Sequence, residues 1–135
     1  MAVHKFTDGY IVVNSVNLSA WAKSITIDTG VDKLDDTFMG DTTRSNLGGL
    51  LTWSIKADFG QDYASSAPDQ TLSPLHGTTT TIEVRPTSGA VSTTNPKWSG
   101  TCLVDYKQPV GGQVGELHMT SAEFASAGTL TRATS

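Results

Sequence analysis

The segment "LLTWSIKADFG" constrains the fold more than any other stretch of the chain. Leu51, Trp53, Ile55, Ala57 and Phe59 fall on one face, and Thr52, Ser54, Lys56 and Asp58 on the other. A period of two is the signature of a strand with one dry and one wet face; a helix would scatter these apolar residues around its axis. Weaker versions of the pattern recur. Tyr10–Val13 and Val16–Leu18 flank Asn14-Ser15 and read as a small hairpin. Ile25 and Ile27 alternate with Ser24, Thr26 and Asp28. "TTTTIEVRP" buries Ile82 and Val84 and stops at Pro86, and "KWSGTCLVDYKQ" aligns Trp98, Gly100, Cys102, Val104 and Tyr106.

"GELHMTSAEFASAG" is less clean: Leu117, Met119, Ser121 and Glu123 oppose Glu116, His118, Thr120, Ala122 and Phe124. "GTLTRATS" reads as a short strand or tail. Only "QDYASSAPDQTLSPLHG" breaks the strand pattern. There Asp69, just after Pro68, is placed to cap a short helix, Leu72 and Leu75 dock on the sheet, Pro74 limits the length and Gly77 ends it.

Composition agrees. The chain holds 14 Ser and 20 Thr among 135 residues, with only 16% charged. Threonine's branched Cβ suits a pleated sheet, and Ser and Gly suit turns. The expectation is one domain over residues 1–135, mainly β, with six to eight strands. These would form a β-sandwich or open barrel of antiparallel strands with one short flanking helix.

Several functions are disfavoured. A net charge of −4 with no two adjacent Lys or Arg residues argues against a dedicated nucleic-acid binder. The lone Cys102 rules out an internal disulfide or a multi-Cys zinc site and fits a reducing compartment. "MAVHKFTDGY" lacks an apolar signal core, and no apolar run has spanning length, so no membrane partner is expected.

No GxSxG, Walker loop or GxGxxG occurs, and His4, His76 and His118 have no metal-ligand spacing. His4 and His76 read as loop residues and His118 as a strand residue. Gly48-Gly49 and Gly111-Gly112 read as turn or hinge glycines, and mid-strand Cys102 as a small core residue. Asp32, Asp35, Asp36 and Asp41 lack the ligand ladder of a calcium loop and read as a solvated acidic loop. Trp21, Trp53 and Trp98 suit core packing better than a sugar platform. The reading is therefore of a non-enzyme, with no catalytic, cofactor or metal site.

The long connection over residues 29–49 remains to be explained. Strands such as "LLTWSIKADF" and "GELHMTSAEF" carry little Lys or Pro to blunt a sheet edge, so they invite pairing with copies of the same chain. A structureless connection of this length is uncommon in a compact domain unless it is functional, and an extended interaction loop is the natural expectation. Head-to-tail pairing of copies closes a ring or runs as a fibre.

Three stretches then carry a resemblance: "NSVNLSAWAKSITI", "LDDTFMGDTTR" and "GLLTWSIKADFGQDY". Together with "LSPLHGTTTTIEVRPTSGAVSTTNPKWSGTCLVDY" and "FASAGTLTRATS" they make the chain similar, over nearly its whole length, to the major tail tube proteins of long-tailed, non-contractile bacteriophages. The resemblance implies a fold shared with contractile-tail and type VI secretion tubes. It also implies stacked hexameric rings forming a hollow tube through which DNA passes without specific binding. Implied partners are further copies, the tape measure protein, and tail tip and terminator proteins. The implied location is the virion tail, after synthesis in the host bacterial cytoplasm. A tail terminator, decoration protein or receptor-binding module is the alternative.

On this resemblance the 29–49 connection becomes an inter-subunit arm, with Asp35, Asp36, Phe38, Met39, Asp41, Arg44, Asn46 and Leu47 as its contact residues. Lumen-lining acids would repel phosphate and keep the duplex from sticking. The candidates are Asp58, Glu83, Asp105, Glu116 and Glu123; strand alternation sets the last two on opposite faces, so at most one looks inward.

Overall fold

In the computed structural model, residues 9–135 are described. The strands are β1 (Tyr10–Val13), β2 (Val16–Asn17), β3 (Ala22–Asp35), β4 (Asn46–Gly60), β5 (Thr79–Arg85), β6 (Lys97–Tyr106), β7 (Met119–Ser126) and β8 (Thr131–Ala133). Among the described residues, a single short helix, α1 (Pro68–Leu72), and one 3-10 turn over Ser19–Trp21 complete the elements.

All eight strands belong to one open sheet in the order β2-β1-β5-β6-β7-β4-β3, and every pairing is antiparallel. Strand β8 pairs with the first residues of β6, where β7 no longer reaches. The β1–β2 turn places Asn14 and Ser15 at φ 50° and 66°, the left-handed pair a tight hairpin needs.

The core lies on one face of this sheet. Ile11 and Val13, Ile82 and Val84, Cys102, Val104 and Tyr106, Ala122 and Phe124, and Trp53, Ile55, Ala57 and Phe59 all point to it. Leu18 and Leu72 are buried against them, with Leu75 and Leu130 packed at the margin. The Trp53 indole N–H donates to the Gly128 carbonyl at 2.9 Å, tying the turn before β8 across β6. Gly100 makes that crossing possible: a Cβ there would stand 2.9 Å from the Thr129 carbonyl oxygen and 3.1 Å from Trp53 Cζ2.

The structure revises several sequence expectations. Residues 29–49 are not a loop. Strands β3 and β4 stay paired out to Asp35 and Asn46, and only residues 36–45 turn the chain. The exposed ribbon lacks the in-out alternation of a half-buried strand, so the pattern did not mark it. Leu51 shares parity with Trp53 but lies out on the ribbon, 78% exposed.

Strands β4 and β7 are interior, so they are not the unprotected edges; the edges are β2 and β3. Edge strand β3 carries Lys23, Asp28, Asp32, Lys33 and Asp35, the charged blunting expected of an edge. In α1 the N-cap is Ala67, Pro68 occupies the first turn, and the helix ends at Leu72, well before Gly77. Strand β7 begins at Met119, so Glu116, Leu117 and His118 precede it in the connection from β6. His4 lies outside the described residues.

Candidate functional site: a protruding hairpin arm and a charged sheet face

The two longest strands build an arm. At Ile55 and Phe59, β3 and β4 form part of the sheet over the core; beyond Trp53 they continue as a two-stranded ribbon left largely exposed among the described residues. Along it Val31, Leu34, Leu47, Leu50 and Leu51 are exposed, and Phe38 and Met39 cap the tip, Met39 at 104%.

A bulge divides the ribbon. Val31 pairs with Leu51 and Lys33 with Gly48, so Gly49 and Leu50 together oppose Asp32. A Cβ on Gly49 would stand 3.1 Å from both Asp32 Cβ and the Asp32 carbonyl oxygen, which is why glycine fits there. Val31 and Leu34 are three residues apart on the continuous strand, so they face opposite sides. Leu34 and its partner Leu47 therefore lie on the face away from Val31 and Leu51. The arm is apolar on both faces.

The tip brings together all the arm residues expected from sequence. Asp35 accepts hydrogen bonds from the Thr37 amide (3.0 Å) and from Arg44 (3.2 Å). The Thr37 amide and hydroxyl hold its carboxyl below the usual carboxylate range. Asp41 accepts from the Phe38 amide at 2.8 Å, and the Thr37 hydroxyl and Ser45 amide close the base of the turn at 2.7 Å. These aspartates build the turn. Among the described residues no group of three or more His, Cys, Asp or Glu side chains is placed to hold a metal ion.

The polar face of the sheet, opposite the core, carries four of the five lining candidates. Asp58, Glu83, Asp105 and Glu123 alternate with buried core residues on their strands. Glu116 is not among them; it is exposed in the connection before β7. The face is close to charge balance. Glu83 pairs with Arg85 (2.8 Å) and Lys97 (4.0 Å). Lys107 bridges Asp105 (3.0 Å) and Glu123 (3.6 Å), and these partners raise its ammonium pKa. Lys56 stands directly across from Glu123, and Asp58 accepts from the Ser24 hydroxyl at 3.0 Å.

Several other titratable and aromatic groups have partners within the fold. Cys102 is fully buried, and burial pushes its thiol up to about 11. The Tyr106 amide donates to His76 Nδ1 (3.0 Å), and the Gly111 amide to His118 Nε2 (2.9 Å). The Tyr106 hydroxyl donates to Asp69 (3.1 Å), with burial raising its pKa. The Trp21 indole donates to Asp62, Trp53 is in the core, and Trp98 has the Arg132 guanidinium over its ring. Their separate partners make no common platform.

Sequence reasoning missed a second exposed feature, the connection over residues 107–118. Val110, Val114 and Leu117 project from it, yet its backbone is held. The Gln61 amide and the Tyr63 hydroxyl both donate to the Pro109 carbonyl at 2.7 Å, and the Thr120 hydroxyl donates to the Gln108 carbonyl at 2.7 Å. The available signal was three aliphatic residues inside a Gly-rich turn segment.

The overall fold is shared with chains of phage-tail-type particles. A chain in the virion of a native gene transfer agent particle aligns with a TM-score of 0.74 and 19% identity, covering 96% of this chain and 98% of that one. A chain from the tail of an empty gene transfer agent particle, refined with helical C6 symmetry, aligns at 0.65 and 18% identity over 82% and 81%. A chain of the six-fold symmetrised baseplate of the anti-feeding prophage aligns at 0.52 and 9% identity over 98% and 97%. No family model matches the sequence, and a search of curated proteins finds no similar chain.

Proposed function

We propose that this chain is a structural, non-enzymatic subunit of a phage-type tail, and that six copies form rings that stack into the tail tube. The observation that carries the reading is the end-to-end fold match to a subunit of a gene transfer agent virion. The ring number follows the C6 tail neighbour. The arm supplies the physical motive. Leucines exposed on both faces of one ribbon cannot be covered by a single flat surface, so the arm is inserted between neighbouring copies. Its contacts are made by Asp35, Asp36, Phe38, Met39, Asp41, Arg44, Asn46 and Leu47 together with the ribbon leucines.

With the apolar face of the sheet filled by core, the polar face is the one left to line a lumen. Asp58, Glu83, Asp105 and Glu123 then look at the DNA, each beside a cation or hydroxyl. A charge-balanced lining gives phosphates no net grip, and fixed phosphate contacts are what would stall passage. The tape measure, tail tip and terminator proteins are the partners this role requires. Synthesis belongs in the host bacterial cytoplasm and the final location is the virion tail. The baseplate neighbour favours a second reading, a ring at the tail's end instead of its repeating unit.

Electron microscopy of the purified protein tests the proposal. Open-ended tubes of uniform width are expected. Isolated rings would favour the second reading, and a persistent monomer at high concentration would contradict both. For the lining, Asp58→Lys with Glu83→Lys is expected to permit tubes and impair DNA passage; unimpaired infectivity of particles carrying both would contradict the assignment.

A further inference from the structure

The arm is at one end of the sheet, and the 107–118 connection is at the other. On β4, the arm's base is at Leu51–Trp53, whereas the connection is tied to Gln61 and Tyr63 just after Gly60. Nine residues of strand separate them, roughly 30 Å at about 3.3 Å per residue.

Each end carries an apolar feature of opposite shape. At the arm's base is a hollow of about 240 Å³ lined mainly by Thr29, Leu51, Trp53, Gly128 and Leu130. For scale, a cavity of about 150 Å³ holds a benzene molecule. At the far end the 107–118 connection projects, and Val114 within it is 105% exposed. The hydrogen bonds to the Pro109 and Gln108 carbonyls hold the connection in place, so little ordering entropy opposes its docking.

We infer that the 107–118 connection of one copy enters the hollow at the arm's base of the next, with Val114 as the inserted side chain. This rests on the tube reading and names the receiving surface within it. A knob and a hollow at opposite ends of one chain make a heterologous contact, which leaves a free knob and a free hollow after every addition and so propagates. Burying an aliphatic side chain at each such contact favours association, and repetition around a ring multiplies the effect.

The test is covalent trapping in the full chain. Under mild oxidant, the double variant Leu51→Cys/Val114→Cys is expected to give a ladder of dimers, trimers and longer species on a non-reducing gel. Each single variant should give no ladder, and a mixture of the two singles should stop at dimers. Native Cys102 does not compete, because it is fully buried. In parallel, Val114→Asp is expected to leave the thermal midpoint unchanged and to lower the pelletable polymer at least tenfold.

Tubes in the micrograph without a ladder, or a Val114→Asp chain that polymerises like wild type, would overturn this contact and leave the tube reading standing. A wild-type chain that never assembles would overturn both.

Discussion

Strands β3 and β4 pass through two environments, and the contrast between them explains most of the molecule. In the body, Trp53, Ile55, Ala57 and Phe59 alternate with polar neighbours and are buried. In the arm, a few residues along the same strands, Val31, Leu34, Leu47, Leu50 and Leu51 are as apolar and are exposed. Backbone pairing continues through both halves. What changes is the cover: the body's side chains pack into the core, and among the described residues these arm side chains are left largely exposed. On the proposed reading, these exposed apolar residues serve a contact with a neighbouring copy more than the stability of the subunit.

The sharpest way to break this comparison is to truncate one side chain in each half. Phe124→Ala removes a fully buried ring and should cost about 3–5 kcal/mol in denaturant unfolding. Leu47→Ala in the arm should stay within about 0.5 kcal/mol of wild type. Equal losses would mean that the arm is packed on its own body.

Gly100→Ala is next in size. Its Cβ would meet the Thr129 carbonyl and the Trp53 ring, an overpacking expected to cost about 1–3 kcal/mol. A neutral result would show that the turn before β8 is loose.

What was legible in the sequence follows the same division. Alternation between core and solvent located β4, β5 and β6 and the buried half of β3, and it selected the core residues Ile82, Val84, Val104 and Phe59. It failed wherever burial was absent or two-sided. The outer ribbon, without a core beneath it, reads as polar loop, and the bulge at Gly49 moves its leucines from one face to the other. Gly48-Gly49 read as a turn, although both lie within β4. Before β7, Glu116–His118 mimic a strand's pattern while belonging to a tied-down connection. Strand parity set Asp58, Glu83 and Asp105 on the polar faces of their strands and left Glu123 open against Glu116; no local pattern reveals the cross-strand cations Lys56 and Lys97, which come from other strands.

A third prediction separates folding from assembly. Leu47→Asp with Leu50→Asp should change unfolding stability by no more than about 0.5 kcal/mol, as for exposed sites, and abolish polymerisation. Assembly at the wild-type level would remove the arm from the interface.

The smallest effect concerns the tip. The Thr37 amide and hydroxyl lower the Asp35 pKa from its ordinary 3.8, so their stabilisation is present above that value. It is lost as pH falls through the lower folded value. An NMR titration should show the Thr37 amide shifting with a midpoint below pH 3.8, with the core amides unchanged. A Thr37 midpoint above that value would contradict the turn geometry.

Amide hydrogen exchange over residues 46–60, compared in unassembled and assembled protein, tests the central claim most directly. The account predicts slow exchange at Ile55–Phe59 in both states, and fast exchange at Leu47–Leu51 in the free subunit that slows once copies assemble. Slow exchange across the arm of the free subunit, or an arm that stays fast after assembly, would contradict it.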